Sequence, residues 1–240
     1  MALGTHRART IRAVTKAMNA PKLIPPIPAL KPSMRGVLHQ WAAFVAAAAG
    51  VYLVLASPTA EARVASAVYA ASIVGLFTVS ATYHRINWTR PGARAWMRRL
   101  DHSMIFVMVA GTVTPIAALV LDGGWRTTVL SVAWGMAGIG IVIKLLWIGA
   151  PKWLSAAIYL GMGWAGMAVF PKLVGDLGVW PAVGLLGGGV LYTIGAVIYA
   201  TKKPDPLPKI FGYHEIFHAL VIVAALAHFL VVALAVVPNA

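Results

Sequence analysis

Residues 211–237 read FGYHEIFHALVIVAALAHFLVVALAVV, a stretch in which Glu215 is the only Asp, Glu, Lys or Arg. A helix needs about 20 apolar residues to cross a hydrocarbon layer about 30 Å thick, and this stretch passes that length without interruption. Six more stretches of the same kind precede it, at 37–56, 64–84, 100–121, 127–148, 153–170 and 179–200. The chain is therefore read as an all-α membrane protein, a seven-transmembrane helix bundle over 37–237. Composition agrees: 60% of the 240 residues are hydrophobic and 11% charged, so the apolar supply exceeds what a soluble core of this length can hide. Trp41, Trp88, Trp96, Trp125, Trp153 and Trp180 fall near the expected span ends, where an indole prefers the membrane interface.

Lys and Arg alternate from loop to loop. The tail, the turn after the second span, the turn around Lys144 and Lys152, and the turn with Lys202, Lys203 and Lys209 hold 17 of the 20 basic residues; Arg63, Arg126 and Lys172 are the other 3. This bias predicts a cytoplasmic amino terminus and an outer carboxyl terminus. The net charge of +14 sits between apolar runs, so it reads as topology signal and anionic-lipid contact, with membrane lipids as partners and no nucleic acid. Positions 1–36 form a separate basic, proline-rich segment with no acid and no signal-peptide core; it reads as a resident cytoplasmic tail or, alternatively, as a mitochondrial presequence. Glycines 161, 163 and 166 and glycines 184, 187, 188 and 189 are expected to let helices approach closely, and Pro115 to kink the third span. With no Cys in the chain, any metal must be held by His, Asp or Glu.

Ionisable groups in a membrane are costly and face the bundle interior. Once topology is applied, three distant segments deliver such groups to one rim: Ser80 and His84 end the second span, Asp101 opens the third, and His214 and His218 open the seventh. Residues four apart stack about 6 Å along a helix axis, so His214 and His218 can grip one ion and Ser80 shares a face with His84. Three imidazoles with one open position fit a catalytic zinc centre. Asp101 is expected to orient or deprotonate the attacking water, and Ser80 to hydrogen-bond that water or the developing oxyanion. Taken singly, each of these groups also reads as a polar residue hydrogen-bonded between helices. His228, about 21 Å along the helix from His214, is expected to hydrogen-bond a neighbouring helix. His39 reads as an interfacial side chain, and His102 as a possible support to the metal ligands.

His214-Glu215-Ile216-Phe217-His218 also matches H-E-x-x-H, the zincin signature in which the glutamate is the general base. An intramembrane protease would need a third ligand, and Asp122 in Leu121-Asp122-Gly123 is the aspartate that invites the pairing. It is expected at the opposite face, a membrane thickness away, so the pairing fails on distance.

The chain resembles the hemolysin III branch of the progestin and adipoQ receptor family. The resemblance rests on Ser80-Ala81-Thr82-Tyr83-His84, Arg98-Arg99-Leu100-Asp101-His102-Ser103 with Ala110-Gly111-Thr112, Gly161-Met162-Gly163-Trp164, and Phe211-Gly212-Tyr213-His214-Glu215 with His218. It implies a seven-helix fold with zinc held on the inner side by His84, His214 and His218, the site completed by Asp101 and Ser80. It also implies kinship with membrane hydrolases such as alkaline ceramidases, and a bacterial plasma membrane location. Two functional expectations follow. One is a zinc-dependent hydrolase of a lipid amide or ester; the other is a non-catalytic receptor or membrane-state sensor with structural zinc, or a hemolysin-like pore. The scarcity of polar residues in mid-membrane argues against the pore.

Overall fold

The computed structural model describes residues 31–147, 149 and 151–240. The chain divides into two units, Met1–Lys31 and Pro32–Ala240, and the helices among the described residues belong to the second. Most of the expected basic segment, 1–30, lies outside the described residues. The helices are α1 (Val37–Ala56), α2 (Ala60–Arg85), α3 (Pro91–Val120), α4 (Gly123–Leu146), α5 (Lys152–Trp164), α6 (Phe170–Leu177), α7 (Val179–Thr201) and α8 (Tyr213–Val231). A 3-10 stretch, Ala165–Val169, joins α5 and α6 into one crossing, while α8 continues through a π turn and a 3-10 turn to Asn239. Seven crossings are long and apolar enough to span a membrane, and no named strand occurs among the described residues.

Local chemistry sets the helix ends. The Thr59 hydroxyl accepts from the Ala62 amide at 3.1 Å and opens α2. Pro91 is the first residue of α3, where its missing N–H would have had no helical partner anyway. Gly178, at φ 87°, turns the chain from α6 into α7. The Glu215 carboxylate, accepting from the Gly212 amide at 2.9 Å, caps the start of α8.

The third and fifth spans exceed the hydropathy prediction most. α3 begins at Pro91 rather than 100, because its first turns carry exposed Arg94 and Arg98 and are helical without being apolar. The fifth crossing runs to Leu177 rather than 170, past a short 3-10 interruption. At Pro115 α3 remains an unbroken α-helix; the Thr114 hydroxyl donates to the Ala110 carbonyl at 2.8 Å in the turn before it.

Antiparallel neighbours pack in the order α1–α2–α3–α4, α7 pairs with α8, and α1 meets α8. The main core lies among α1, α2, α3 and α8, with Leu53, Tyr69, Phe77, Met108 and Val221 at its centre; Phe106, Ala137 and Met162 form a second cluster linking α3, α4 and α5. Large apolar side chains such as Leu55, Leu146, Trp180 and Leu234 face outward, as a lipid solvent requires. The glycine expectation holds only in part. Gly184 lies against Val231 and Gly188 against His228, whereas a Cβ at Gly161, Gly163, Gly166, Gly187 or Gly189 would meet nothing within 4 Å. Gly163 and Gly166 line a cavity instead, so their missing side chains leave volume inside the bundle rather than drawing helices together.

Candidate metal centre

The last turns of α2, the early part of α3 and the first turns of α8 converge at one end of the bundle. The His84 and His214 Nε2 atoms are 3.2 Å apart, and one ring nitrogen from each of His84, His214 and His218 lies within 4.8 Å of the other two. Ring centroids stand 4.8 Å apart for His84 and His214, 5.1 Å for His84 and His218, and 4.5 Å for His214 and His218. Zinc–imidazole bonds of 2.0–2.1 Å in a tetrahedron set donor atoms about 3.3 Å apart, which the His84–His214 pair matches. The donor set, all imidazole, suits zinc better than calcium or magnesium.

Asp101 stands beside this cluster, its Oδ2 3.9 Å from His84 Nε2 and 3.5 Å from His102 Nδ1, with its side chain 12% exposed. His102 is braced from several sides: its Nδ1 lies 2.9 Å from the Arg98 carbonyl, its Nε2 3.4 Å from the Tyr199 hydroxyl, and its own carbonyl accepts from Tyr159 Oη at 3.4 Å. Tyr199 and Tyr159 thus frame the carboxylate, two residues that carry no metal-ligand or catalytic pattern in the sequence.

His39 differs from its expected interfacial position. It is 3% exposed, its Nδ1 is 2.9 Å from the Ser80 hydroxyl, and its ring lies flat on His218 with centroids 3.8 Å apart and planes 8° from parallel. The physical reason is that α1 packs on both α2 and α8, so its first turn is inside the bundle rather than at the lipid boundary. Ser80 is buried, with its hydroxyl engaged by His39.

The glutamate of H-E-x-x-H has a different occupation. Glu215 is 1% exposed; its Oε2 accepts from the Gly212 amide at 2.9 Å and its Oε1 from Arg35 Nε at 2.5 Å. It caps α8 and anchors the segment that leads into α1, where the Ser33 and Met34 amides also donate to the Lys209 and Ile210 carbonyls. Gly36 follows at φ 78°, so close to α2 that a Cβ there would come 2.7 Å from the His84 Cβ. Asp122 sits at the start of α4, 3.9 Å from Lys172. Twenty residues of α3, about 30 Å of rise, separate Asp101 from Leu121 beside it. His228 bonds across helices through Nε2, 3.0 Å from the Leu185 carbonyl on α7.

A cavity of about 240 Å³ opens onto the histidine cluster. Its wall follows α3 from Asp101 through Met108, Thr112 and Ile116 to Leu121, and nearly all of it is apolar. A small volume spread along that length makes a narrow slot.

The haemolysin-III related family matches residues 28–229. Hemolysin-3 of Bacillus cereus is 32% identical over 182 residues, covering 76% of this chain and 80% of that protein. The hemolysin-3 homolog of Bacillus subtilis (strain 168) is 32% identical over 162 residues, 68% of this chain and 72% of its own. The human monocyte to macrophage differentiation factor is 24% identical over 170 residues, 70% and 68% of the two chains. With seven apolar helices and this coverage, the chain is an integral membrane protein that belongs to the haemolysin-III related family, the hemolysin III branch of the progestin and adipoQ receptor proteins.

Proposed function

We propose that this protein is a zinc-dependent hydrolase of a lipid amide or ester, acting at the cytoplasmic leaflet of a bacterial plasma membrane. The observation that carries the reading is the meeting of three imidazoles and a carboxylate with the end of a long apolar slot. His84, His214 and His218 would hold the ion, which supplies Lewis acidity to a carbonyl and to water. The slot takes a hydrocarbon chain lengthwise and leaves its polar head among the histidines. Asp101 accepts the proton of the attacking water and returns it to the leaving group. His102, fixed by the Arg98 carbonyl and Tyr199, stands against that carboxylate, its Nδ1 3.5 Å from Oδ2. The apolar walls exclude bulk water from the reacting carbonyl.

The test is turnover by purified protein in lipid nanodiscs, zinc-loaded and chelator-stripped, on lipid amides and esters of graded chain length. Release of fatty acid by the loaded form alone is expected. A folded, zinc-replete sample that cleaves none of them overturns the catalytic reading.

One observation favours the rival role of receptor or sensor with structural zinc. Asp101 Oδ2 is near enough to His84, at 3.9 Å, to become a fourth ligand. X-ray absorption at the zinc edge decides between them: four protein donors mark a closed structural centre, three imidazoles with an exchangeable fourth position a catalytic one.

A further inference from the structure

We propose that His39 is a positioning residue of the metal centre, its ring plane holding His218 and its Nδ1 holding Ser80; the inference rests on the zinc reading above. Two contacts made by one buried side chain carry it: the flat stack on His218 and the 2.9 Å bond to Ser80.

The stack has an informative geometry. Two electron-rich rings prefer an offset or edge-on arrangement with centroids about 4.5–7 Å apart, because their faces repel. His39 and His218 lie parallel within 8° with centroids 3.8 Å apart, closer than that range. A cation on one ring reverses the preference, since an electron-poor imidazole attracts the face of a neutral one, much as a cation is drawn to an aromatic face. The arrangement is therefore one that metal binding at His218 strengthens, and it fixes the ring against rotation away from His84 and His214.

The second contact sets a direction of hydrogen bonding. The Nε2 of His39 is buried without a hydrogen-bond partner. A bare lone pair in such a position costs less than a stranded N–H, which favours the tautomer with its proton on Nδ1. Nδ1–H then donates to the Ser80 oxygen, which fixes that hydroxyl near the end of α2. One histidine on α1 thereby orients a metal ligand on α8 and the Ser80 hydroxyl on α2, one turn from the ligand His84.

The two roles separate by substitution. His39→Phe keeps a flat ring and loses the bond to Ser80; His39→Asn keeps a polar atom near the Nδ1 position and loses the ring; His39→Ala loses both. Zinc affinity is measured on the full-length, detergent-solubilised protein by competition with a chromophoric chelator, and ligand geometry by the visible spectrum of the cobalt-substituted form. His39→Ala and His39→Asn should weaken zinc roughly 10- to 100-fold and alter the cobalt bands, the range typical of groups that orient metal ligands. His39→Phe, which keeps the stack and loses only the Ser80 bond, should weaken zinc far less than His39→Asn does. The inference is overturned if His39→Ala binds zinc and cobalt as wild type does. It is equally overturned if His39→Phe and His39→Asn weaken zinc alike, a comparison that decides the matter even where His39→Ala does not fold. Wild-type protein that takes up no zinc would instead bring down the metal reading itself, before any variant is compared.

Discussion

Glu215 is the residue on which two chemistries of the same five-residue string part. As a zincin base it would face the metal, and Glu215→Gln would cost about 10²- to 10⁴-fold in turnover. In the structure it is buried with one oxygen on the Gly212 amide and the other on Arg35, whose side chain is 20% exposed. Glutamine has one acceptor oxygen; with it on the Gly212 amide, its NH2 meets the Arg35 N–H donor to donor and that bond is lost. A hydrogen bond to a charged group contributes about 1.5–3 kcal/mol, which is the expected loss of stability. Arg35→Ala leaves the carboxylate buried and uncompensated and should cost more, about 3–5 kcal/mol. Once Glu215 is neutral, removing Arg35 strands no charge, so the double variant should be clearly less destabilised than the sum of the two. Unfolding of all four proteins in mixed micelles, followed by the tryptophan signal, measures the cycle. Losses that add within about 0.5 kcal/mol would refute the pairing. A zinc-loaded, folded Glu215→Gln protein that lost a hundredfold or more of its turnover would return the glutamate to the role of base.

Single replacements of His84, His214 or His218 by Ala should each lower bound zinc below one ion per chain, while His228→Ala, whose ring bonds Leu185, should keep a full complement by elemental analysis. Asp101→Asn should retain zinc and lose turnover by about 10²- to 10⁴-fold, the span of a removed general base; zinc loss in this variant would instead mark Asp101 as a ligand. Gly163→Phe and Gly166→Phe add bulk to the wall of the slot at positions where a Cβ meets no neighbour. They should spare substrates with short chains and abolish cleavage of long ones, and equal loss on both would place the hydrocarbon elsewhere.

How much of this was legible in the sequence depends on whether a residue's partner lay within a turn or two of it. The spans were legible because lipid imposes length and apolarity on each helix separately. The grouping of His84, Asp101, His214 and His218 at one end follows from counting crossings, which gives depth but not facing. Glu215 could be placed by angle alone, since it is turned about 100° from His214 along the helix, and its capping position follows from Gly212 three residues before it. His39 could not: its partners are Ser80 and His218, 41 and 179 positions away, and no local pattern distinguishes a histidine entering the bundle from one at the lipid boundary. Gly163 and Gly166 were misread for a related reason, since a small residue serves a helix contact and an internal slot equally, and the difference lies in the facing helix.

The polar groups at this end of the bundle also bear on what can hold the histidines together. In an apolar surrounding each buried donor or acceptor must be met, and much of the local hydrogen bonding goes to that: Glu215 to Arg35 and Gly212, His102 to the Arg98 carbonyl and Tyr199, Ser80 to His39. His84, His214 and His218 are different in kind, because they turn ring nitrogens toward one another. Two neutral imidazoles can share a proton, one donating and one accepting, as a 3.2 Å separation between His84 and His214 permits. A third nitrogen in the same small space has no equivalent place in that bond, whereas a divalent ion accepts all three lone pairs at once and with the same sign. Convergence of three imidazoles, where pairing would have sufficed for hydrogen bonding, is thus the feature that argues for a metal rather than for interhelical polar contacts.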